Sequence, residues 1–269
     1  MPWAQVGPTD VYYQEAGRGQ PLVFLHGMSS CAEAWFQQFE VFSPFFRVVA
    51  YDSVNHGHSA NSPRDQPEPD RADELEGFLR ALGLTRPIIA GNSMGALTIL
   101  RWAVRHPDDA AALVPSGMGI GPFPDGMAAS ARTEPLAERT LFLPVGDALT
   151  DGLRTRDPLL YERYLRIRST ATRLEALRHP RPRSMDRPSR EDLDQSVATI
   201  RSPMLVVVGE LDRLAPNARA LAAAVPGARL HVVKDSPHNV YYETAAEYNR
   251  VVREFLAEHA LTPAQTGLR

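Results

Sequence analysis

The chain has 269 residues, a formal net charge of −3 and a single cysteine, Cys31. This length is enough for one large domain with an ample core. The mild charge gives no reason to expect nucleic-acid binding, and no apolar run approaches the roughly 20 residues that a membrane span needs. The lone cysteine cannot form an internal disulfide, and residues 1–5 lack the basic and apolar regions of a secretory signal. We therefore expect a cytoplasmic protein that binds neither membranes nor nucleic acid and exists as a monomer or homodimer.

Apolar runs and helical periodicity alternate along the chain and predict an α/β fold. The predicted strands lie near residues 10–16, 21–25, 46–51, 86–91, 110–115, 203–209 and 228–234. The predicted helices lie near residues 32–40, 69–83, 94–106, 217–225 and 243–258. This alternation favours a mostly parallel central sheet with helices on both faces. The segment Gly17-Arg18-Gly19 predicts an antiparallel hairpin between the first two strands, at one edge of the sheet.

The segment 121–201 is too long to be a simple connection between two strands. It contains helical stretches of its own, such as Leu159 to Leu177. Between Arg154 and Arg190 there are eleven arginines and four acidic residues, so the local charge is about +7. These arginines either attract an anionic ligand or form a solvated surface, and the second interpretation is favoured in a chain with so many arginines.

The most informative motif is Gly91-Asn92-Ser93-Met94-Gly95, which lies between a predicted strand and a predicted helix. In this context Gly-x-Ser-x-Gly is typical of a nucleophile elbow, a turn so tight that the residues two before and two after the serine must be almost free of side chain. The serine is then held in a strained backbone conformation with its hydroxyl exposed. The alternative is an ordinary strand–turn–helix junction.

A serine nucleophile needs a base, and the base needs an orienting acid. Downstream, Asp212 and His238 each follow a predicted strand, in the order Ser, Asp, His that this arrangement requires. Glu210 is a rival acid, but the spacing from Gly209 and to Pro216 favours Asp212.

Five motifs in order show that the sequence resembles the α/β-hydrolase family over nearly its whole length. They are His26-Gly27, the turn from Asp52 to Ser59, the elbow, the acid loop Gly209-Glu210-Leu211-Asp212, and His238 followed by Glu243. The chain departs from the family pattern at Val54 and Asn55, where Arg-Gly is usual, and at Pro237, where Gly is usual.

The resemblance implies a core formed by residues 1–120 and 202–269, with residues 121–201 inserted as a helical cap. It implies a catalytic triad of Ser93, Asp212 and His238, an oxyanion hole formed by the backbone N–H groups of Met28 and Met94, and a small-molecule substrate. No cofactor or metal is implied. Trp35 and Asn92 are candidate pocket residues, although Trp35 is equally compatible with core packing.

The other histidines of these motifs have structural interpretations. His26 is expected to brace the oxyanion loop, and His56 and His58 are expected to bond to the backbone. The three could in principle gather at a metal, but the triad explains the site without one.

Three classes of function remain open. A carboxylic-ester hydrolase for small or medium esters is favoured. A carbon–carbon bond hydrolase of the meta-cleavage type is the alternative, because that group has similar residues at the elbow and at Glu247-Tyr248-Asn249-Arg250, although the loop after His26 lacks its Gly/Pro-rich character. A binding protein without catalytic activity on the same fold is the third.

Overall fold

A computed structural model describes residues 3–62, 69–123, 148–171 and 190–261. These residues form an eight-stranded sheet with the strand order β1-β2-β4-β3-β5-β6-β7-β8. The strands are β1 (Trp3–Val6), β2 (Thr9–Ala16), β3 (Pro21–Leu25), β4 (Arg47–Tyr51), β5 (Ile88–Asn92), β6 (Ala112–Ser116), β7 (Leu205–Gly209) and β8 (Arg229–Val233). All neighbouring strands from β4 to β8 in this order are parallel, whereas β1 and β2 are antiparallel to their neighbours.

Helices cover both faces of the sheet. The α-helices in the described ranges are α1 (Phe36–Phe42), α2 (Arg71–Ala81), α3 (Met94–Arg105), α4 (Leu153–Arg156), α5 (Pro158–Ala171), α6 (Arg190–Ser196), α7 (Ala215–Ala224), α8 (Val240–Glu243) and α9 (Ala245–Glu258). Short 3-10 helices span Ala32–Trp35 and Val197–Thr199. The fold predicted from the sequence is confirmed, and strands β2 to β8 begin and end within two residues of their predicted bounds, while the helix predicted at 32–40 starts as a 3-10 helix and continues as α1.

The alternation of side chains along each strand divides the core into two layers. In β3, Leu22 and Phe24 belong to the layer that includes α9 and α5, whereas Val23 and Leu25 belong to the layer that includes α2, α3 and α7. Side chains of a strand point alternately to opposite faces, so a strand covered on both faces is apolar at every position. This explains the unbroken apolar runs of β3, β5 and β7.

The prediction for the edge of the sheet was wrong in its pairing. The segment Gly17–Gly19 connects β2 to β3, but these strands are not neighbours, because β4 lies between them and pairs with both. The hairpin at the edge is formed instead by β2 and the unpredicted strand β1. Gly17 is needed for another reason: at φ +78°, a Cβ there would lie 2.2 Å from the carbonyl oxygens of Ser43 and Phe46.

The described residues between β6 and β7 add no strand to the sheet. Within this part, α5 buries Tyr164, Ile167 and Ala171 in one core layer. The segment 190–200 buries side chains in the opposite layer. The predicted helix from Leu159 is present and is described as far as Ala171, and the rest of its predicted length lies outside the described residues. The division into a core and a cap at 121–201 remains a prediction.

Candidate active site

Ser93 lies in a tight turn between β5 and α3. Its backbone has φ 53° and ψ −109°, a left-handed conformation that is rare for a residue with a side chain. Both flanking glycines are required, because a Cβ on Gly95 would lie 2.3 Å from the Leu25 carbonyl oxygen and one on Gly91 would lie 2.9 Å from the carbonyl carbon of Gly95. The Ser93 N–H donates to the Ser116 carbonyl at 2.9 Å, so the neighbouring strand β6 also holds the turn. The backbone at Ser93 thus has the conformation that the sequence motif predicts.

His238 and Asp212 are joined by a hydrogen bond between the loops that follow β8 and β7. The His238 Nδ1 lies 2.8 Å from Asp212 Oδ2, and Asp212 Oδ1 accepts a hydrogen bond from the Leu214 N–H at 2.9 Å. The carboxylate is buried and uses both oxygens. Since a carboxylate only accepts, Nδ1 carries the hydrogen of neutral His238, and Nε2 is left with its lone pair.

Glu210 bonds to the backbone of the histidine loop, whereas Asp212 bonds to the His238 ring. Its Oε2 accepts a hydrogen bond from the backbone N–H of Asp235 at 3.1 Å, at an exposed position. Asp235 has φ 52°, so this contact supports a strained turn in the loop that leads to His238. The geometry therefore agrees with the choice of Asp212 over Glu210.

Gly117, which follows β6, brings the imidazole next to the elbow. It has φ +59°, and a Cβ there would lie 3.0 Å from His238 Cε1 and 2.8 Å from Asn92 Oδ1. The histidine ring therefore packs directly on backbone that has no side chain, beside the residue that precedes Ser93. Sequence reasoning did not single out this glycine, and its only signal is its place directly after a buried strand.

Two backbone N–H groups at the elbow are candidates to bind an oxyanion. Met94 is the first residue of α3, and the N–H groups of a helix's first turn have no partner within the helix. Met28 follows Gly27, where a Cβ would lie 3.4 Å from the Cβ of Ser93. The loop after β3 thus lies against the elbow, while the side chain of Met28 is 58% exposed.

The two candidate pocket residues are both buried. Trp35 is fully buried and stacks on Tyr241 and Phe24, with ring centroids 4.0 and 4.7 Å away, so it packs as a core residue. Asn92 is 1% exposed, and its Nδ2 donates to Asn239 Oδ1 at 2.9 Å. Both side chains therefore have partners within the chain, and their assignment as pocket residues stays a prediction.

His26 braces the loop after β3, as the resemblance implies. Its Nδ1 donates to the Gly27 carbonyl at 2.7 Å, and its Nε2 accepts from the Ser53 N–H at 2.9 Å. Burial lowers the pKa of His26 below its ordinary value. Asp52 supports the same region, since its Oδ1 accepts from the Ala32 N–H and its Oδ2 accepts from the His58 N–H, both at 2.7 Å.

His56 and Cys31 also have structural surroundings. The His56 Nδ1 lies 3.2 Å from the Val54 carbonyl, and burial lowers the pKa of this ring well below its ordinary value. Cys31 is buried at the start of the first 3-10 helix, and burial raises the pKa of its thiol to about 12. Within the described ranges, no three His, Cys, Asp or Glu side chains are grouped as ligands for a metal.

The unusual residues Val54 and Asn55 are accommodated by a buried ion pair that the sequence analysis missed. Arg71 Nη1 donates to the Val54 carbonyl and to Glu74 Oε2, each at 2.9 Å, and Glu74 Oε1 accepts from the Val54 N–H at 3.2 Å. Asn55 has φ 70°, a region that asparagine adopts more readily than most residues. The i, i+3 spacing on α2 was the available signal for the pair.

Two of the predicted cap arginines that the structure describes contact the core. Arg156 Nη2 lies 2.6 Å from Glu243 Oε1, and the guanidinium of Arg163 lies 3.5 Å from the ring centroid of Phe36. Glu243 also accepts a hydrogen bond from the Thr150 N–H at 2.7 Å. The remaining arginines from 173 to 187 lie outside the described residues.

No helix among the described residues is long and apolar enough to cross a bilayer.

Comparisons with known proteins agree with this fold and these motifs. The chain is 28% identical over 264 residues to a 2-hydroxy-6-oxo-6-phenylhexa-2,4-dienoate hydrolase of Comamonas testosteroni, covering 92% of this chain and 91% of the relative. Among solved structures, it is similar to the enol-lactonase of Burkholderia xenovorans LB400, with a TM-score of 0.75 and 25% identity over 95% of this chain and 100% of that one. An esterase of Thermogutta terrifontis shares the fold, with a TM-score of 0.79 and 22% identity over 95% of this chain and 97% of that one. The family model described as "Alpha/beta hydrolase family" matches residues 22–251. The chain therefore belongs to the α/β-hydrolase family.

Proposed function

We propose that the chain is a serine hydrolase in which Ser93 is the nucleophile, His238 the general base and acid, and Asp212 the residue that orients His238. The observation that carries this proposal is the 2.8 Å hydrogen bond from His238 to Asp212, which leaves Nε2 as the basic nitrogen. Ser93 lies in a strained turn at the end of β5. In the sheet, β6 lies between β5 and β7, the strand that Asp212 follows. The order of the three residues and the bond between His238 and Asp212 support acyl transfer by a serine.

In the proposed reaction, the Ser93 oxygen attacks the substrate carbonyl carbon while His238 Nε2 accepts the hydroxyl proton. The tetrahedral intermediate places its negative oxygen near the N–H groups of Met28 and Met94. The carbonyl re-forms, the bond to the leaving group breaks, and His238 returns the proton to that group. Water, deprotonated by His238, then attacks the acyl-enzyme; the bond to the Ser93 oxygen breaks, His238 returns the proton to that oxygen, and the acid is released.

Small or medium carboxylic esters are the substrates we propose. The loop after His26 has the sequence Gly27-Met28-Ser29-Ser30, without the Gly/Pro-rich composition of the carbon–carbon hydrolases to which the elbow is similar. Esterase and enol-lactonase structures also share this fold. We further propose that residues 121–201 form the cap that selects the substrate, that the protein is cytoplasmic, and that it is a monomer or homodimer.

A carbon–carbon bond hydrolase is the second candidate function. It is favoured by two relatives whose names give this activity, from Comamonas testosteroni at 28% identity and from Pseudomonas putida at 29%. The elbow sequence with Asn92 next to Ser93 is also similar to that group. In this case the bond that breaks after attack by Ser93 or by activated water joins two carbons, and the leaving carbanion must be protonated.

The test is a panel of acyl esters, lactones and vinylogous diketones, assayed with the wild type and Ser93→Ala. We expect ester turnover to fall by several orders of magnitude in Ser93→Ala, because triad members act as a unit. Ser202→Ala is the matched control, since this buried hydroxyl donates to the Pro107 carbonyl at 3.1 Å and should leave turnover unchanged. Full activity in Ser93→Ala, with a serine-directed phosphonate attached elsewhere, would reject the proposed nucleophile. Faster turnover of diketones than of esters would replace the ester assignment with the second candidate.

A further inference from the structure

Two asparagines connect the chain neighbours of Ser93 and His238. Asn92 precedes Ser93, and Asn239 follows His238. Their side chains form a hydrogen bond in which Asn92 Nδ2 donates to Asn239 Oδ1 at 2.9 Å. Both residues are buried, with 1% and 6% of their surfaces exposed. A single amide contact therefore joins the elbow to the histidine loop.

The other half of the Asn239 amide contacts α5. Asn239 Nδ2 donates to the hydroxyl oxygen of Tyr164 at 3.0 Å, and the Asn239 backbone N–H donates to the Ala148 carbonyl at 3.0 Å. Tyr164 is buried, and its ring packs edge-on against Tyr242 with the centroids 5.2 Å apart. Burial raises the pKa of the Tyr164 phenol, which keeps the hydroxyl neutral and able to accept this bond.

The orientation of the Asn239 amide is set by its partners. Asn92 Oδ1 lies 3.2 Å from the Ser116 hydroxyl, which directs Asn92 Nδ2 toward Asn239. A reversed Asn239 amide would place two NH₂ groups against each other and leave both without an acceptor. Buried amides that lose their partners are costly, so the chain from Asn92 through Asn239 to Tyr164 is directional and rigid.

We propose that Asn239 is a positioning residue that makes proton transfer between Ser93 and His238 depend on the position of α5. Tyr164 holds the Nδ2 of Asn239, so that its Oδ1 is fixed against Asn92. The position of Asn92 in turn sets the distance between the side chains of Ser93 and His238. This inference rests on the proposed function. It assigns to α5 an effect on the chemical step itself, in addition to any contact with substrate.

The first test measures acylation per active site in Asn239→Ala. Active-site titration with a p-nitrophenyl ester gives the burst amplitude, which counts competent sites, and the burst rate, which reports acylation. We expect a roughly tenfold or greater fall in burst rate, the size expected when a buried hydrogen bond is lost and its partner stays unpaired. KM and the midpoint of the rate–pH profile should change little, because the bond between His238 and Asp212 remains.

Asn249→Ala is the matched control. This asparagine is also 6% exposed and accepts a hydrogen bond from Gln38 Nε2 at 2.9 Å, but it lies on α9 away from the elbow. A burst rate per site within twofold of the wild type in Asn239→Ala would overturn the proposal, whatever happens to the amplitude. An equal fall in both variants would also overturn it, since the loss would then follow from general destabilisation.

The second test removes only the Tyr164 oxygen, so it remains decisive if Asn239→Ala does not fold. Tyr164→Phe should lower the burst rate several-fold, and combining it with Asn239→Ala should add little, because both changes remove the same contact. Tyr242→Phe is the control: its hydroxyl also bonds to α5, donating to the Leu160 carbonyl at 3.0 Å, but does not contact Asn239. Additive losses, or equal losses in the two phenylalanine variants, would overturn the proposal. Retained turnover in Ser93→Ala would instead reject the proposed function.

Discussion

Protonation of His26 is expected to destabilise the fold at mildly acidic pH. The ring is 1% exposed, its Nδ1 donates to the Gly27 carbonyl, and its Nε2 accepts from the Ser53 N–H at 2.9 Å. A proton on Nε2 would place a second donor against the N–H of Ser53. Burial and this contact together favour the neutral ring, which agrees with a pKa lowered from 6.5.

The sign and size of the effect follow from proton linkage. The unfolded chain binds a proton at His26 as the pH falls through about 6.5, whereas the folded chain does so only at a lower pH. The stabilisation is therefore complete above the unfolded pKa and is lost on acidification toward the folded pKa. Within that window, one histidine removes up to about 1.4 kcal/mol of unfolding free energy per pH unit. This is a substantial part of a typical total of about 5–15 kcal/mol.

The assay is urea unfolding of the wild type and His26→Gln between about pH 8 and pH 5.5. Other groups also link stability to pH: the lowered pKa of His56 acts in the same direction as that of His26, and the raised pKa of Glu74, which burial causes, acts in the opposite direction. The difference between the two proteins reports His26 together with its electrostatic effect on the neighbouring His56. We expect His26→Gln to be less stable at pH 8, where it loses bonds, but to lose less stability on acidification. Parallel curves for the two proteins would refute the reasoning.

Two further predictions concern the histidine loop, and each has its control within the chain. Asp212→Asn should lower kcat by about three to four orders of magnitude, because an amide no longer holds His238 in the productive tautomer, whereas Glu210→Gln should have a small effect; equal losses in steady-state assays would move the acid to Glu210. Gly117→Ala should lower both Tm and kcat/KM, since its Cβ would lie 3.0 Å from His238 Cε1. Gly83→Ala has a similar φ of +61° with nothing within 4 Å of its Cβ, so it should cost about 1 kcal/mol of stability and leave turnover intact; equal turnover in the two variants would contradict the steric argument.

Local sequence patterns were sufficient for strands β2 to β8, the longer helices and the elbow. The unbroken apolar runs of β3, β5 and β7 are buried on both faces, and such runs are the strongest local signal for central strands. The pattern of β1 is only four residues long and alternates between exposed and buried positions, so it gave too little signal. The wrong hairpin has a different cause: Gly17 suggested a turn between paired strands, but pairing is decided by the insertion of β4, which no local pattern encodes.

The contacts that organise the site are mostly between residues far apart in the chain. Asn92 and Asn239 are 147 positions apart, and Asn239 and Tyr164 are 75 apart. A single polar residue next to a motif is compatible with a pocket, a surface or a buried network. The sequence could therefore mark Asn92 as notable without showing that another amide, and not a ligand, is its partner.

At Val54 and Asn55 the chain departs from the family motif, and other contacts hold the turn. The resemblance leads to an expectation of arginine and glycine at these positions. In this chain the guanidinium of Arg71, on α2, donates to the Val54 carbonyl. Asn55 supplies the left-handed conformation, with its side chain bonded to Ser62. Two positions of this turn have positive φ, Gly57 and Asn55, and the donor for the Val54 carbonyl comes from Arg71, which lies outside the motif. The departure is therefore compatible with an intact loop beside the candidate active site.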